Sequence, residues 1–298
     1  MCALTPVAAW KDVELYLDQA GFFSFTNSPY YSHRHLASVD LYPERGVREA
    51  YSPVEGTILE ARKLKVMEDY FIAIKAGDCG ACVKILHVKP QVEVGERVRP
   101  GDVLGNLVWS PFYNYWTDPH MHVEIRPIDD RLRARGGYSL NLAPLMKQIR
   151  FDNNVCESFI VDKVLDRYTL LRPGSDIPSF LTPLILNLDG ISFMLEGGLT
   201  HYGHGALWSE REELPEGALE CVKEFFQIDF TQQQYVHFTC QKREKLVRGF
   251  NYRGIGLYLN DPHIKLIPKR IGDATLDFGD EILMSEIIPF TKSFGCRC

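Results

Sequence analysis

Three features of the sequence predict a mainly β fold with minor α, built of antiparallel strands. From Tyr51 onward, short runs that are β-branched or alternate apolar with polar residues are punctuated by Gly and Pro. Two Gly- and Pro-bearing segments, Ser52-Pro-Val-Glu-Gly56 and Val92-Glu-Val-Gly-Glu-Arg-Val-Arg-Pro-Gly101, have the chemistry of corners between strands. No internal repeat, low-complexity tract or apolar run of ~18 residues is present, which sets aside solenoids and helical membrane spans.

Taken in order, Trp10, Val13, Leu15, Tyr16 and Leu17 predict a short amphipathic helix over Ala8–Ala20. Strands are predicted at Gly56–Arg62, Asp69–Ala76, Ala81–Val88, Asp102–Val108 and Pro119–Ile125. Charges and paired glycines near Arg131–Gly137 mark a boundary, and a short helix at Leu142–Gln148 closes the first part. The expected domains are therefore 1–140, carrying the chemistry, and 141–298, a β-rich accessory domain. In the latter, strands are expected at Cys156–Val161, Ile191–Glu196, Gln234–Cys240, Gly256–Leu259 and His263–Pro268, with a helix at Pro215–Phe226.

Composition is that of a globular protein: of 298 residues 45% are hydrophobic and 24% charged, long enough for two cores. Residues 1–150 hold 18 basic and 18 acidic side chains, so the net charge of −6 lies wholly in the second half. Neither half has the basic excess that nucleic-acid binding needs, whereas the acidic half offers a surface for a protein partner. No secretory signal is seen at the start, and the eight cysteines read as reduced thiols, so a cytoplasmic location is expected.

The chemistry concentrates in Pro119-His120-Met121-His122-Val123-Glu124-Ile125-Arg126. On a strand, Met121, Val123 and Ile125 share one face and His120, His122, Glu124 and Arg126 the other. Such a ribbon can hold one imidazole as a metal ligand and the other beside it. Upstream lies a second cluster of zinc-type ligands in Ser32-His33-Arg34-His35-Leu36-Ala37-Ser38-Val39-Asp40, and His87 stands alone in Val83-Lys-Ile-Leu-His87-Val. Alternation places His87 on one face with Val83 and Ile85, and Cys82, Lys84 and Leu86 on the other. A hydrolytic zinc needs three protein ligands from His and carboxylate, with the fourth position open, and this chain can supply them.

In residues 30–127 the order His35…Asp40, Ser52-Pro53-Val54-Glu55-Gly56-Thr57-Ile58, Leu86-His87-Val88, Val94-Gly95-Glu96-Arg97-Val98-Arg99-Pro100-Gly101-Asp102-Val103-Leu104-Gly105, His120-Met121-His122 resembles the lysostaphin/LytM-type zinc metallopeptidases of the M23 peptidase family. The resemblance implies a LytM-like or barrel-sandwich-type β domain and a Zn2+ held by His35, Asp40 and His122. It also implies catalytic roles for His120 and His87, and hydrolysis of a peptide or peptidoglycan-like substrate. His35 and Asp40 are five residues apart with no Gly between them, where the family usually has four with a Gly; with a bulge, His33 could replace His35.

Other readings compete. The two corners also occur in biotinyl/lipoyl carrier domains, but Lys63 and Lys65 follow the first corner too closely to be the carrier lysine. A catalytically inactive relative acting as a binding module is the alternative to an enzyme. Cys79-Gly-Ala-Cys82 with Cys296-Arg-Cys298 could bind zinc or form a redox pair, though coincidental thiols suit their separation better. Gly197–Gly205 carries His201 and His204 among four glycines, either a turn or binding loop or, with His237 or His263, a second metal site. His-Glu-x-x-His, Gly-x-Ser-x-Gly, Walker and dinucleotide fingerprints are absent.

Overall fold

The computed structural model describes residues 4–65, 68–149, 151, 158–174, 185–188, 190–241 and 252–288. The fold is mainly β and antiparallel. It divides into two units, Met1–Phe25 with Tyr30–Gln148, and Thr26–Pro29 with Ile149–Cys298.

The first unit contains β1 (Leu4–Trp10), β2 (Val13–Asp18), β3 (Phe22–Ser24), the single turn α1 (Tyr31–Arg34), β4 (Val39–Tyr42) and β5 (Glu49–Tyr51). It continues with β6 (Gly56–Lys63), β7 (Tyr70–Ala76), β8 (Ala81–Leu86), β9 (Val88–Pro90), β10 (Arg97–Val98), β11 (Val103–Leu107), β12 (Met121–Pro127) and α2 (Ala143–Met146). Among the described residues the main sheet runs β10-β6-β7-β8-β12-β4-β3, with β1-β2 and β5-β11-β9 as smaller sheets. Residues 141–148 stay with this unit rather than passing to the second at 140/141. Asn141 exchanges backbone hydrogen bonds with Ala9 (2.7 and 2.9 Å), and the Gln148 side chain donates to the Pro6 carbonyl (3.1 Å).

Strand β12 organises the sheet. It pairs with β8 on one side and β4 on the other, and is buried on both faces. Val123 and Ile125 are fully buried and Met121 nearly so, as alternation predicts. The other face is polar yet equally closed. Lys84 on β8 lies opposite Glu124, and their side chains meet at 2.8 Å. Arg126 donates to Glu124 (2.5 Å) and to the backbone carbonyls of Asp130 (2.8 Å) and Arg135 (2.7 Å). Segment 130–135 thus supplies acceptors to a buried guanidinium, which buried charge requires.

In three places local structure departs from the sequence reading. Ala8–Ala20 is a hairpin, not a helix: Val13, Leu15 and Leu17 are buried while Glu14, Tyr16 and Asp18 are half-buried, a period of two. The apolar set 10, 13, 16, 17 also satisfies a helical spacing, and the turn residue Lys11, at φ +52°, settles the matter by reversing the chain. At Pro215–Phe226 only the 3-10 turn Glu220–Val222 forms, because Gly217 takes φ +84° and Phe226 already begins a strand. At His87, φ +72° breaks the alternation expected from Val83 and Ile85.

The second unit contains β13 (Ser158–Leu165), β14 (Tyr168–Pro173), β15 (Ile185–Leu188), β16 (Ile191–Leu199), β17 (His204–Ser209) and β18 (Phe226–Gln232). After these come β19 (Tyr235–Cys240), β20 (Tyr252–Leu257), β21 (Ile264–Pro268), β22 (Glu281–Leu283) and α3 (Met284–Ile287). Among the described residues they form one sheet in the order β18-β19-β17-β16-β20-β21-β14-β13-β22, with β15 also paired to β16. Its core gathers Phe159, Phe193, Leu207, Phe226 and Phe238, all fully buried. Within this unit Glu196 accepts from the Thr26 backbone (2.8 Å) and from the Trp208 indole (3.1 Å). No described helix is long and apolar enough to cross a membrane.

The hairpin assignment has a direct test. Lys11→Gly relieves a left-handed backbone and is expected to leave stability unchanged or raise it by up to about 1 kcal/mol. In a helix the same change costs about 1 kcal/mol, so a fall of that size in a urea titration would contradict the hairpin.

Candidate metal centre

Three elements deliver the candidate ligand set. Asp40 on β4 and His122 on β12 are direct cross-strand partners, so register alone brings the carboxylate to the imidazole. His33 comes from the turn α1. His33 Nε2, His122 Nδ1 and Asp40 Oδ1 form a triangle with edges of 3.2 Å (His33–His122), 3.2 Å (His33–Asp40) and 2.9 Å (His122–Asp40). Tetrahedral zinc with bonds of ~2.0–2.1 Å places its ligand atoms about 3.3 Å apart, close to these edges.

The outer partners fix the protons. His33 Nδ1 lies 2.8 Å from the Phe25 carbonyl and His122 Nε2 lies 2.9 Å from the Glu124 carboxylate. Both can only accept, so each of these ring nitrogens carries the proton. In the neutral rings, His33 Nε2 and His122 Nδ1 are then bare lone pairs, facing each other and a carboxylate oxygen. Three inward lone pairs call for a cation. The backing carbonyl and carboxylate are the kind of outer support that orients metal-binding histidines. Among the described residues, His33, Asp40 and His122 are the one group of three or more His, Cys, Asp or Glu ligand atoms close enough to share an ion.

Charge in this pocket is set by its neighbours. Burial alone would raise the Asp40 carboxyl, but His33, His120 and the hydrogen bond from His122 hold it well below the usual carboxylate range. Burial likewise opposes a charged His122, yet its hydrogen bonds to Asp40 and Glu124 push it up to about 9. Against burial, His122 and Lys84 hold Glu124 well below its ordinary value. Zinc bound in the triangle would compete with a proton for the inward nitrogen of His122.

Of the two histidines the sequence offers here, the structure brings His33 and not His35 to Asp40 and His122. His35 is exposed, stacked on Tyr31 (ring centroids 3.8 Å) and bonded to the Tyr31 carbonyl (2.8 Å). Its neighbour His33 is fully buried and stands with Asp40 and His122 in the triangle. In a helical turn two residues apart means about 200° of rotation, so only one of the pair can face Asp40.

His120 and His87 flank the triangle. His120 Nδ1 lies 2.8 Å from the Asp118 carbonyl, which leaves Nε2 bare, 3.4 Å from Asp40 Oδ2. Burial pushes His120 down to about 4, so it is neutral near pH 7. His87 lies 5.4 Å from His120 and 6.3 Å from His122 by ring centroids. Its left-handed backbone, which costs about 1–2 kcal/mol, is held by bonds from His87 N to the Tyr70 carbonyl and from Val108 N to the His87 carbonyl. Sequence reasoning missed Asp69, Ser110 and Tyr113 altogether. Tyr113 stacks on His120 (4.8 Å) and meets His87 edge-on (5.0 Å). Glu124 is legible in the sequence, since alternation places it on the face of His122.

Among the described residues the other candidate sites form no such centre. Burial pushes the Cys82 thiol up to about 11, which disfavours the thiolate, and Cys296 and Cys298 lie outside the described residues. In the Gly197–Gly205 region, β16 and β17 make an ordinary hairpin. His204 is engaged on both nitrogens, with His237 (3.1 Å) and the Ser28 carbonyl (2.7 Å), while His263 bonds Asp261 (2.7 Å).

Residues 13–142 match the family described as "Domain of unknown function (DUF8155) N-terminal domain". No curated protein matches the sequence. Among solved structures the chain is similar to the antimicrobial peptidase lysostaphin from Staphylococcus simulans, at 14% identity and TM-score 0.32 over 89% of this chain and 96% of that one. It is also similar to a chain in a SpoIIIAH and SpoIIQ complex, at 20% identity and TM-score 0.26 over 41% of this chain and 72% of that one. Scores this low decide nothing about the site, whose own side chains must.

The purified chain is expected to bind one zinc. His33→Ala and His122→Ala should each weaken binding by more than about 100-fold, while His35→Ala leaves it unchanged; metal analysis with competition titration reads the difference. Zinc lost in the His35 variant but kept in the His33 variant would overturn the ligand set.

Proposed function

We propose that the first unit is a zinc-dependent hydrolase of peptide bonds. The observation that carries this reading is the closed triangle of His33 Nε2, Asp40 Oδ1 and His122 Nδ1, with two further imidazoles, His120 and His87, packed beside it. Two histidines and one carboxylate are a donor set suited to zinc with an open fourth position. Bound there, zinc would activate a water and polarise a carbonyl. The chain's own residues do the rest. Glu124, anchored by Lys84 and Arg126, keeps the His122 proton on Nε2. His120, neutral and bare at Nε2, and His87 are the groups available to move a proton or steady a developing oxyanion. The peptide bond as target rests on the ordered M23-type motifs, and a peptidoglycan-like peptide is the substrate class they favour.

One observation favours a second reading, a metal-holding binding module without turnover. His87, His120 and His122 are each less than a tenth exposed, with Tyr113 packed on the first two.

Cleavage separates the two. With glycine-rich and peptidoglycan-like peptides, the zinc-loaded chain should hydrolyse at least one, lose activity to a chelator and regain it with zinc. His120→Ala and His87→Ala should keep the metal and slow cleavage by about 10²–10⁴-fold. Stoichiometric zinc with no cleavage across the panel would favour the binding module.

A further inference from the structure

His87 is held by a carboxylate that no motif predicts. Asp69, just before β7, is fully buried. Its Oδ1 accepts the Tyr70 backbone N–H (2.8 Å), and its Oδ2 accepts the Ser110 hydroxyl (2.6 Å) and lies 2.7 Å from His87 Nδ1. With an ionised Asp69 the shared proton sits on His87 Nδ1, and Nε2 is the nitrogen left free. Against burial, the bonds from His87 and Ser110 keep this carboxyl below its ordinary value. The left-handed backbone at His87 serves the same end, because regular alternation would send the ring to the opposite face of β8. His120 differs: a backbone carbonyl, not a carboxylate, backs it.

We propose that Asp69 is the positioning residue that makes His87, rather than His120, the proton carrier of the hydrolase. A carboxylate behind an imidazole fixes the tautomer and stabilises the imidazolium, which a neutral carbonyl does far less well. His87 Nε2 takes a proton from water as the hydroxide adds to the amide carbon. It then gives that proton to the departing nitrogen as the C–N bond breaks, so the products are one acid and one amine. The proton's route rests on the zinc-hydrolase reading; the tautomer does not.

Asp69→Asn tests this on the full chain. The Tyr70 N–H needs an acceptor, so the amide oxygen must stay at the Oδ1 position and the NH2 must face His87 Nδ1. Histidine ¹⁵N–¹H correlation spectra, with His87 assigned by its loss in His87→Gln, should show Nδ1–H in the wild type and Nε2–H in Asp69→Asn. Zinc content should stay at the wild-type level, and cleavage of any peptide the wild type cuts should fall about 10³–10⁴-fold. Ser110→Ala, which keeps the carboxylate but removes a competing donor, should retain Nδ1–H and move its proton resonance. An Nε2–H wild type, an unchanged tautomer in Asp69→Asn, or full activity in that variant would overturn the proposal. A wild type that binds no zinc would sink the metal reading, while the tautomer still judges Asp69.

Discussion

The first unit depends on the pairing of β12 between β8 and β4, which sets His122 directly opposite Asp40. That register does two things at once. It buries Val123 and Ile125 in the core, and it brings a carboxylate oxygen within 2.9 Å of an imidazole on the other face. A slip of one residue would exchange the two faces, turning apolar side chains into the polar pocket and dispersing the three donor atoms. Core packing and site geometry are therefore enforced by the same hydrogen-bond ladder.

The polar face of β12 is costly to bury. Lys84, Glu124 and Arg126 are each at most 3% exposed, and charge removed from water is tolerated only when fully paired. Here each has its partners: Glu124 takes Lys84, Arg126 and His122, and Arg126 also takes two backbone carbonyls. This arrangement makes sense as the outer support of His122, whose proton it keeps away from the triangle. Burial of the site follows from the same packing, with Tyr113 laid against His120 and His87.

Particular residues show why some of this was legible and some was not. The face shared by His122, Glu124 and Arg126 could be read because a strand's period of two depends on backbone geometry alone. The choice between His33 and His35 could not, because it turns on whether four residues form a helical turn, and α1 is too short to have a periodic signature. Asp69 and Ser110 stand 41 residues apart and meet at one oxygen, with no motif connecting them. The β1–β2 hairpin misled because its apolar positions fit both periods, and the left-handed Lys11 leaves no mark in composition.

By itself the sequence determined the antiparallel β class, the strand carrying His122, and the set of histidines and carboxylates from which a metal site could be drawn. These follow from local periodicity and residue chemistry. Only the tertiary structure decided that His33 faces Asp40 and His122, that His87 turns from its expected face, and that Asp69 stands behind it. Each of those depends on contacts between segments distant in the chain, and on backbone angles that sequence spacing does not encode.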